Sequence, residues 1–384
     1  MTAMRVERAP ARSFVARPES GSWQSFDIQL AFYALALAVI GLLMAWTNSP
    51  EGPLSPGSTF TRGLMWFAVA IVAFSASAAF DYRWLRTFSW LPYLANIGLL
   101  LLTLAIGVTI NGAQRWVSVA GLSFQFSEIS KVIMIAVLAT FLEARKDSLG
   151  KLSTLVGAGL LVAPPFVLIM IQPDLGTALV LVAIVAGALF LSGASLRWLG
   201  VAGGAVVAML PVVWSILQDY QRRRLLSFLD PLSDPQGAGY QVLQAQIAVG
   251  SGGIFGQGLT NGSQAASNFL PVQSTDFAFA VLLEELGFVG GMIVFLLFVG
   301  LIWRVLVIGW RSGTVFGIAF AGATAAMLIF QMLVNAGMIA GMMPVTGIPL
   351  PFITHGGASL VSTAIALGLM QSINMRAASP RRDW

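Results

Sequence analysis

The chain has 384 residues, 57% hydrophobic and only 10% charged, where a soluble protein carries about 25% charged residues. With a membrane helix taking about 20 apolar residues, this composition describes a polytopic membrane protein and excludes a water-soluble enzyme. The lack of cysteine and the single histidine exclude disulfide staples, Cys/His zinc sites, haem, iron–sulfur clusters and thiol catalysis, and the net charge of +5 matters through where its cations lie.

Residues 1–28 are polar and basic, without the short apolar core and small-residue cleavage site of a removable leader, and read as a tail. From 29 to 375 the sequence reads as one all-α integral membrane unit. Apolar runs at 29–46, 64–80, 90–110, 127–142, 154–171, 175–192, 196–217, 277–303, 313–339 and 359–375 predict ten transmembrane helices. Pro164 and Pro165 predict a kink in the fifth. Residues 376–384 form a second short tail. An even number of spans puts both termini on one side of the membrane. Of the 21 Lys and Arg, fifteen fall on that side; Arg62, Arg115, Arg222, Arg223 and Arg224 lie opposite, and Lys131 is inside the fourth run. By the positive-inside rule both termini are cytoplasmic.

Three outer connections are long or polar: 111–126, 218–276 and 340–358. The second, between spans seven and eight, is far longer than an ordinary connection, which marks it as functional. Within it Tyr240, Val242, Leu243, Ile247 and Val249 recur as in a short amphipathic helix lying at the membrane surface. The run from Gly250 to Gly258 has the glycine count of a phosphate-cradling loop but neither a preceding strand nor a Lys-Ser/Thr ending, so nucleotide binding is not expected. Arg222, Arg223 and Arg224 violate the inside rule locally and read as holders of outer-surface lipid phosphates. Nucleic acid is not an expected partner, because no folded recognition domain is present. No internal repeat is visible, which weighs against a transporter built from two related halves.

Ionisable groups in hydrocarbon are costly and are paired or face a cavity. Glu128 and Lys131, three residues apart, share a helix face; they form either a structural ion pair or an anion site in which Glu128 positions Lys131. Arg115 precedes the same helix beside Trp116, as a headgroup anchor or as a grip on phosphate oxygens. Asp174 and Asp276 stand where helices begin, so capping explains either as well as chemistry does. Glu284 and Glu285 lie about two turns beyond Asp276, deep enough that at least one is paired or protonated. Asn335 and His355 are weaker signals.

Several stretches together resemble the SEDS (shape, elongation, division and sporulation) family, which includes RodA and FtsW. They are Gly112-Ala113-Gln114-Arg115-Trp116 with Ser127-Glu128 and Lys131, Gln172-Pro173-Asp174-Leu175-Gly176-Thr177, and Phe228-Leu229-Asp230-Pro231 with Gly239-Tyr240-Gln241. Gly250 to Gly258, Leu270-Pro271 with Thr275-Asp276-Phe277, Glu284-Glu285-Leu286-Gly287, and Pro344 through Gly357 complete the set. The resemblance implies a ten-span peptidoglycan glycosyltransferase that polymerises lipid II on the outer face of the bacterial cytoplasmic membrane, partnered by a class B penicillin-binding protein. It implies Asp276 as the catalytic carboxylate and Arg115, Glu128, Lys131 and Asp174 as lining an outward cavity; Glu284, Glu285, Asn335 and His355 are candidates for supporting positions around them. Ser274 stands where a histidine is usual, Phe126 where a proline is usual, and Thr354-His355 where Ser-Tyr is usual, which puts local geometry in question. Asn261-Gly262-Ser263-Gln264 and Asn335-Ala336-Gly337-Met338 resemble RodA more than FtsW. A divalent cation, Mg or Mn, held by Asp276 or Asp174 is the one cofactor the chemistry leaves room for, although no dense carboxylate cage accompanies it. A lipid II flippase and a non-catalytic scaffold for a transpeptidase are the competing readings.

Overall fold

The computed structural model describes the chain from Trp23 to Arg376 apart from residues 50–51, 56, 111–112, 120–121, 218, 231–237, 263–276 and 355. Each of the ten apolar runs is a helix: α1 (Ile28–Thr47), α2 (Thr59–Ala79), α4 (Trp90–Ile106), α5 (Phe126–Ala144), α6 (Leu152–Ile171), α7 (Leu175–Leu191), α8 (Leu196–Ile216), α11 (Ala278–Arg311), α12 (Val315–Ile339) and α13 (Gly357–Arg376). Among them α1, α2, α6, α11, α12 and α13 are long and apolar enough to cross a membrane. The short α3 (Arg83–Thr87) leads into α4, and α9 (Asp219–Leu229) and α10 (Ala238–Gly252) occupy the long connection after α8. The protein is an all-helical integral membrane protein, save for one small sheet.

That sheet departs from the expected all-α architecture. Between α4 and α5, β1 (Val108–Ile110), β2 (Ala113–Val119) and β3 (Leu122–Phe124) form an antiparallel meander, pairing Ile110 with Ala113 and Val119 with Leu122. The sequence explains it: Val-Thr-Ile and Trp-Val-Ser-Val are β-branched and aromatic runs, and Asn111-Gly112 between the first two strands is a hairpin dipeptide.

The bundle is ordered by polarity in the sense opposite to a soluble protein. α13 carries Ser359, Ser362, Thr363, Gln371 and Ser372, all buried, whereas Phe32, Leu35 and Val39 of α1 and Val72 of α2 are exposed. Where the surrounding solvent is lipid, apolar faces turn outward and helices associate through close packing and small residues. Gly187 of α7 faces Gly322 of α12 so closely that a Cβ on either would collide with the other's carbonyl. Side-chain caps fix the ends: Asp27 accepts from Leu30 N at 2.8 Å and Ser58 from Thr61 N at 3.1 Å. Asp27 also pairs with Arg304, tying the start of α1 to α11.

α6 runs as one helix through Pro164 and Pro165, and α11 contains a backbone break at Gly287 (φ 68°, ψ −166°). One expectation is corrected. The amphipathic helix of the long connection exists as α10, but Val242, Ala245 and Ala248 are buried and pack on α11, so its apolar face is covered by protein.

The glycine run repairs the break in α11. Gln257 N and Gly258 N donate to the carbonyls of Glu284 and Glu285, each at 3.0 Å, while Phe288 N and Val289 N donate to those of Gly253 and Ile254 at 2.9 and 3.0 Å. Four backbone bonds that a broken helix would leave open in hydrocarbon are closed by the loop. Gly287 has positive φ and no room for a Cβ, which would meet the backbone of Gly256 and Ile254. Gly287→Ala is therefore expected to destabilise the protein by at least about 2 kcal/mol, measured by thermal unfolding in detergent; an unchanged midpoint would show that the loop does not seat in the break.

Candidate functional site

The expected site residues on β2, α5 and α7 converge at the end of the bundle where α5 and α7 begin. Asp174 is the node. It caps α7, with Oδ1 accepting from Thr177 N at 3.2 Å, and Oδ2 accepts from Thr177 Oγ1 (2.9 Å), Gln125 Nε2 (2.7 Å) and Ser127 Oγ (3.1 Å). Arg115 of β2 brings a guanidinium nitrogen within 3.6 Å of Oδ1. The capping and functional readings of Asp174 are thus compatible: one buried carboxylate ends a helix and anchors the cation of the neighbouring sheet. A buried carboxylate is tolerated when its lone pairs are filled in this way.

One turn further along α5, Lys131 Nζ lies 2.6 Å from Glu128 Oε2, and the two side chains are 2% and 4% exposed. Ser362 of α13 donates to the same carboxylate at 3.3 Å. The pair is closed and ties α5 to α13. Arg115, by contrast, keeps its side chain 18% exposed and lines a cleft, which makes it the cation of this group available to an anion.

The remaining residues are held apart from this cluster. Glu284 and Glu285 are buried beside the break in α11, and Glu285 Oε1 accepts from Thr260 N at 3.2 Å, fixing the entry to the 263–276 stretch. Asn335 Nδ2 donates to Ile348 O at 3.0 Å, pinning the segment after α12. Asp276 and His355 lie outside the described residues; Phe277, directly after Asp276, is fully buried and precedes the first turn of α11.

Sequence reasoning missed Gln125 and Ser362, and gave Ser127 and Thr177 no role. Neutral polar residues carry no signal until the fold shows what they touch. Asp174 does not fit a divalent cation, because both of its oxygens already accept donors and one faces a guanidinium, while a hard cation needs free oxygen lone pairs. Among the described residues no three acidic, histidine or cysteine side chains gather as a metal site.

Removing one member of a buried ion pair strands the other, at about 3–5 kcal/mol. Lys131→Met is expected to lower stability by that amount in detergent unfolding experiments, and Glu128→Leu combined with it to recover most of the loss. Equal stability of the single variant and the wild type would exclude a structural pair.

A family model for cell cycle proteins of the FtsW, RodA and SpoVE group matches residues 28–379. The peptidoglycan glycosyltransferase MrdB of Escherichia coli K12 is 38% identical over 351 residues, 91% of this chain and 93% of that protein. A chain of a solved peptidoglycan synthase complex, described in terms of coordinated polymerization and crosslinking, superposes with a TM-score of 0.76 at 31% identity, covering 92% of this chain and 98% of its own. The crystal structure of the Thermus thermophilus rod shape determining protein RodA gives a TM-score of 0.69 at 26% identity over 93% of this chain and 99% of that one. The chain belongs to the FtsW, RodA and SpoVE family, the SEDS proteins.

Proposed function

We propose that the protein is a peptidoglycan glycosyltransferase of cell elongation, polymerising lipid II on the outer face of the bacterial cytoplasmic membrane. The observation that carries this reading is an arginine anchored by a buried aspartate over a cleft, in a chain that matches enzymes of that name along nine-tenths of its length. It supports a partner as well: a relative forms part of a peptidoglycan synthase complex coupling polymerization to crosslinking, which suits a class B penicillin-binding protein as the transpeptidase. The membrane unit spans 29–375 ten times, with residues 1–28 and 376–384 in the cytoplasm and the 218–276 connection outside; the fifteen-to-five bias of the cations supports this orientation.

The reaction joins the sugar hydroxyl of an incoming lipid II to the anomeric carbon of a growing strand carried on a lipid pyrophosphate. The anomeric carbon–phosphate oxygen bond breaks as the new glycosidic bond forms, inverting an alpha link to beta in one displacement. Asp276 takes the hydroxyl proton. A pyrophosphate leaving group needs no general acid, so the two-carboxylate arrangement of glycoside hydrolases is unnecessary. Arg115 meets the charge developing on the departing pyrophosphate, Asp174 holds Arg115, and the closed Glu128–Lys131 pair ties α5 to α13 behind them. Glu284, Glu285, Asn335 and His355 support the surrounding geometry.

The decisive experiment is purified protein, lipid II and a gel for glycan strands, with and without the transpeptidase. Polymer is expected from the wild type and none from Asp276→Asn when folding and partner binding are retained. Full activity in that variant removes Asp276 as base. Headgroup translocation in liposomes without polymer would instead favour a flippase, and neither activity a scaffold.

Sidedness is separately testable because the chain has no cysteine. Asp147→Cys is expected to react with an impermeant maleimide only after permeabilisation, and Ser251→Cys in intact cells; the reverse pattern would invert the topology.

A further inference from the structure

The arginine triplet Arg222, Arg223 and Arg224 was read from sequence as a lipid-headgroup contact, yet its first and third members do different work. Arg222 donates from Nε to Trp214 O at 3.2 Å and from Nη2 to Ser215 O at 2.9 Å, closing the carbonyl end of α8. Arg224, about 200° further round α9, donates from Nη1 to Val345 O at 3.4 Å. It lines the same cleft as Arg115.

Three remote segments build this cleft: β2 through Arg115, α9 through Gln221 and Arg224, and the stretch after α12 through Thr346. Pro173 and Leu175, flanking Asp174, also line it, and the lining contains two guanidiniums and no carboxylate. The Thr346 hydroxyl oxygen is buried there and makes no hydrogen bond among the described residues. Lys131 is not part of the lining and is already paired with Glu128.

We infer that Arg224 is a substrate-binding residue, forming with Arg115 a clamp for the two phosphate groups of a prenyl diphosphate. This rests on the proposed function and extends it to a residue outside the membrane helices. The chemistry is that of paired forks. A guanidinium offers parallel N–H donors matched to phosphate oxygens, and two of them lining one cleft match two linked phosphates. The amide of Gln221 and the free hydroxyl of Thr346 are further polar groups of the right kind. Asp174 sets Arg115 in position from beneath. A diphosphate bound here would join β2, α9 and the 344–346 stretch.

The test uses the full-length protein in phosphatidylcholine nanodiscs, with farnesyl diphosphate as the binding probe and lipid II polymerisation as the kinetic readout. Arg224→Gln is expected to weaken farnesyl diphosphate binding and to lower kcat/KM by about 10- to 100-fold, with the unfolding temperature unchanged. Arg224→Lys keeps the charge but not the fork, and is expected to lose several-fold in both while folding normally; it serves as the test should the glutamine variant fail to assemble. Arg222→Gln, which removes a helix-end contact only, is expected to leave both readouts unchanged. Wild-type affinity for farnesyl diphosphate in Arg224→Gln, or in Arg224→Lys where only that variant folds, overturns the proposal. Displacement of the probe by phosphatidylglycerol added to the nanodisc, at equal strength in wild type and Arg224→Gln, also overturns it, by showing a general headgroup surface. If the wild type makes no glycan the proposed function fails, and the binding measurement still decides the clamp.

Discussion

Inside a bilayer a polar group has no water to turn to, so each buried donor, acceptor and charge must be answered by another part of the chain. Much of this architecture follows from that demand. Lys131 meets Glu128 Oε2 at 2.6 Å, and Ser362 donates to the same oxygen. Asp27 meets Arg304, and the broken backbone of α11 meets a glycine loop. Each solution joins segments distant in sequence, so satisfying the polar groups also specifies which helices are neighbours. Lipid-facing packing supplies little such specificity, because one apolar surface is much like another.

The same demand explains how the candidate site is held. Arg115 sits on a short strand, an element with little core of its own, and its position is set by Asp174. That carboxylate is in turn immobilised by Thr177, Gln125 and Ser127. Bonds to a charged acceptor are stronger than neutral ones, and a carboxylate accepting four of them cannot swing away without leaving several donors bare. The cation offered to the cleft is therefore preorganised, which is what stabilising a developing charge requires.

Scarcity of charge made the helices and the charged members of the site legible in sequence: ten apolar runs became ten helices, and Arg115, Glu128, Lys131 and Asp174 stood out because topology did not account for them. Their neutral partners stayed hidden, since glutamine, serine and threonine are unremarkable until a neighbour appears. The hairpin is masked in sequence by the hydropathy of the stretch, although Asn111-Gly112 lies between β-branched runs. Pro164-Pro165 lies inside a continuous helix. Gly287 gave no warning of the break in α11, because its role depends on a loop thirty residues earlier coming to lie against it. Arg222 and Arg224 look equivalent in a triplet and are separated only by the turn of α9.

The repaired break in α11 has a mechanical consequence. Below Gly287 the helix is fixed to α1 through Arg304 and Asp27, while the segment from Ala278 to Leu286 is stitched to the 253–258 loop by backbone bonds of its own. That upper segment begins two residues after Asp276. It joins the rooted lower helix and the 253–258 loop, with the only non-helical residue of α11 as the joint between them. The loop grips both sides of that joint at once, the upper segment through Glu284 and Glu285 and the lower helix through Phe288 and Val289, so it works as a splint that sets the angle between the two halves.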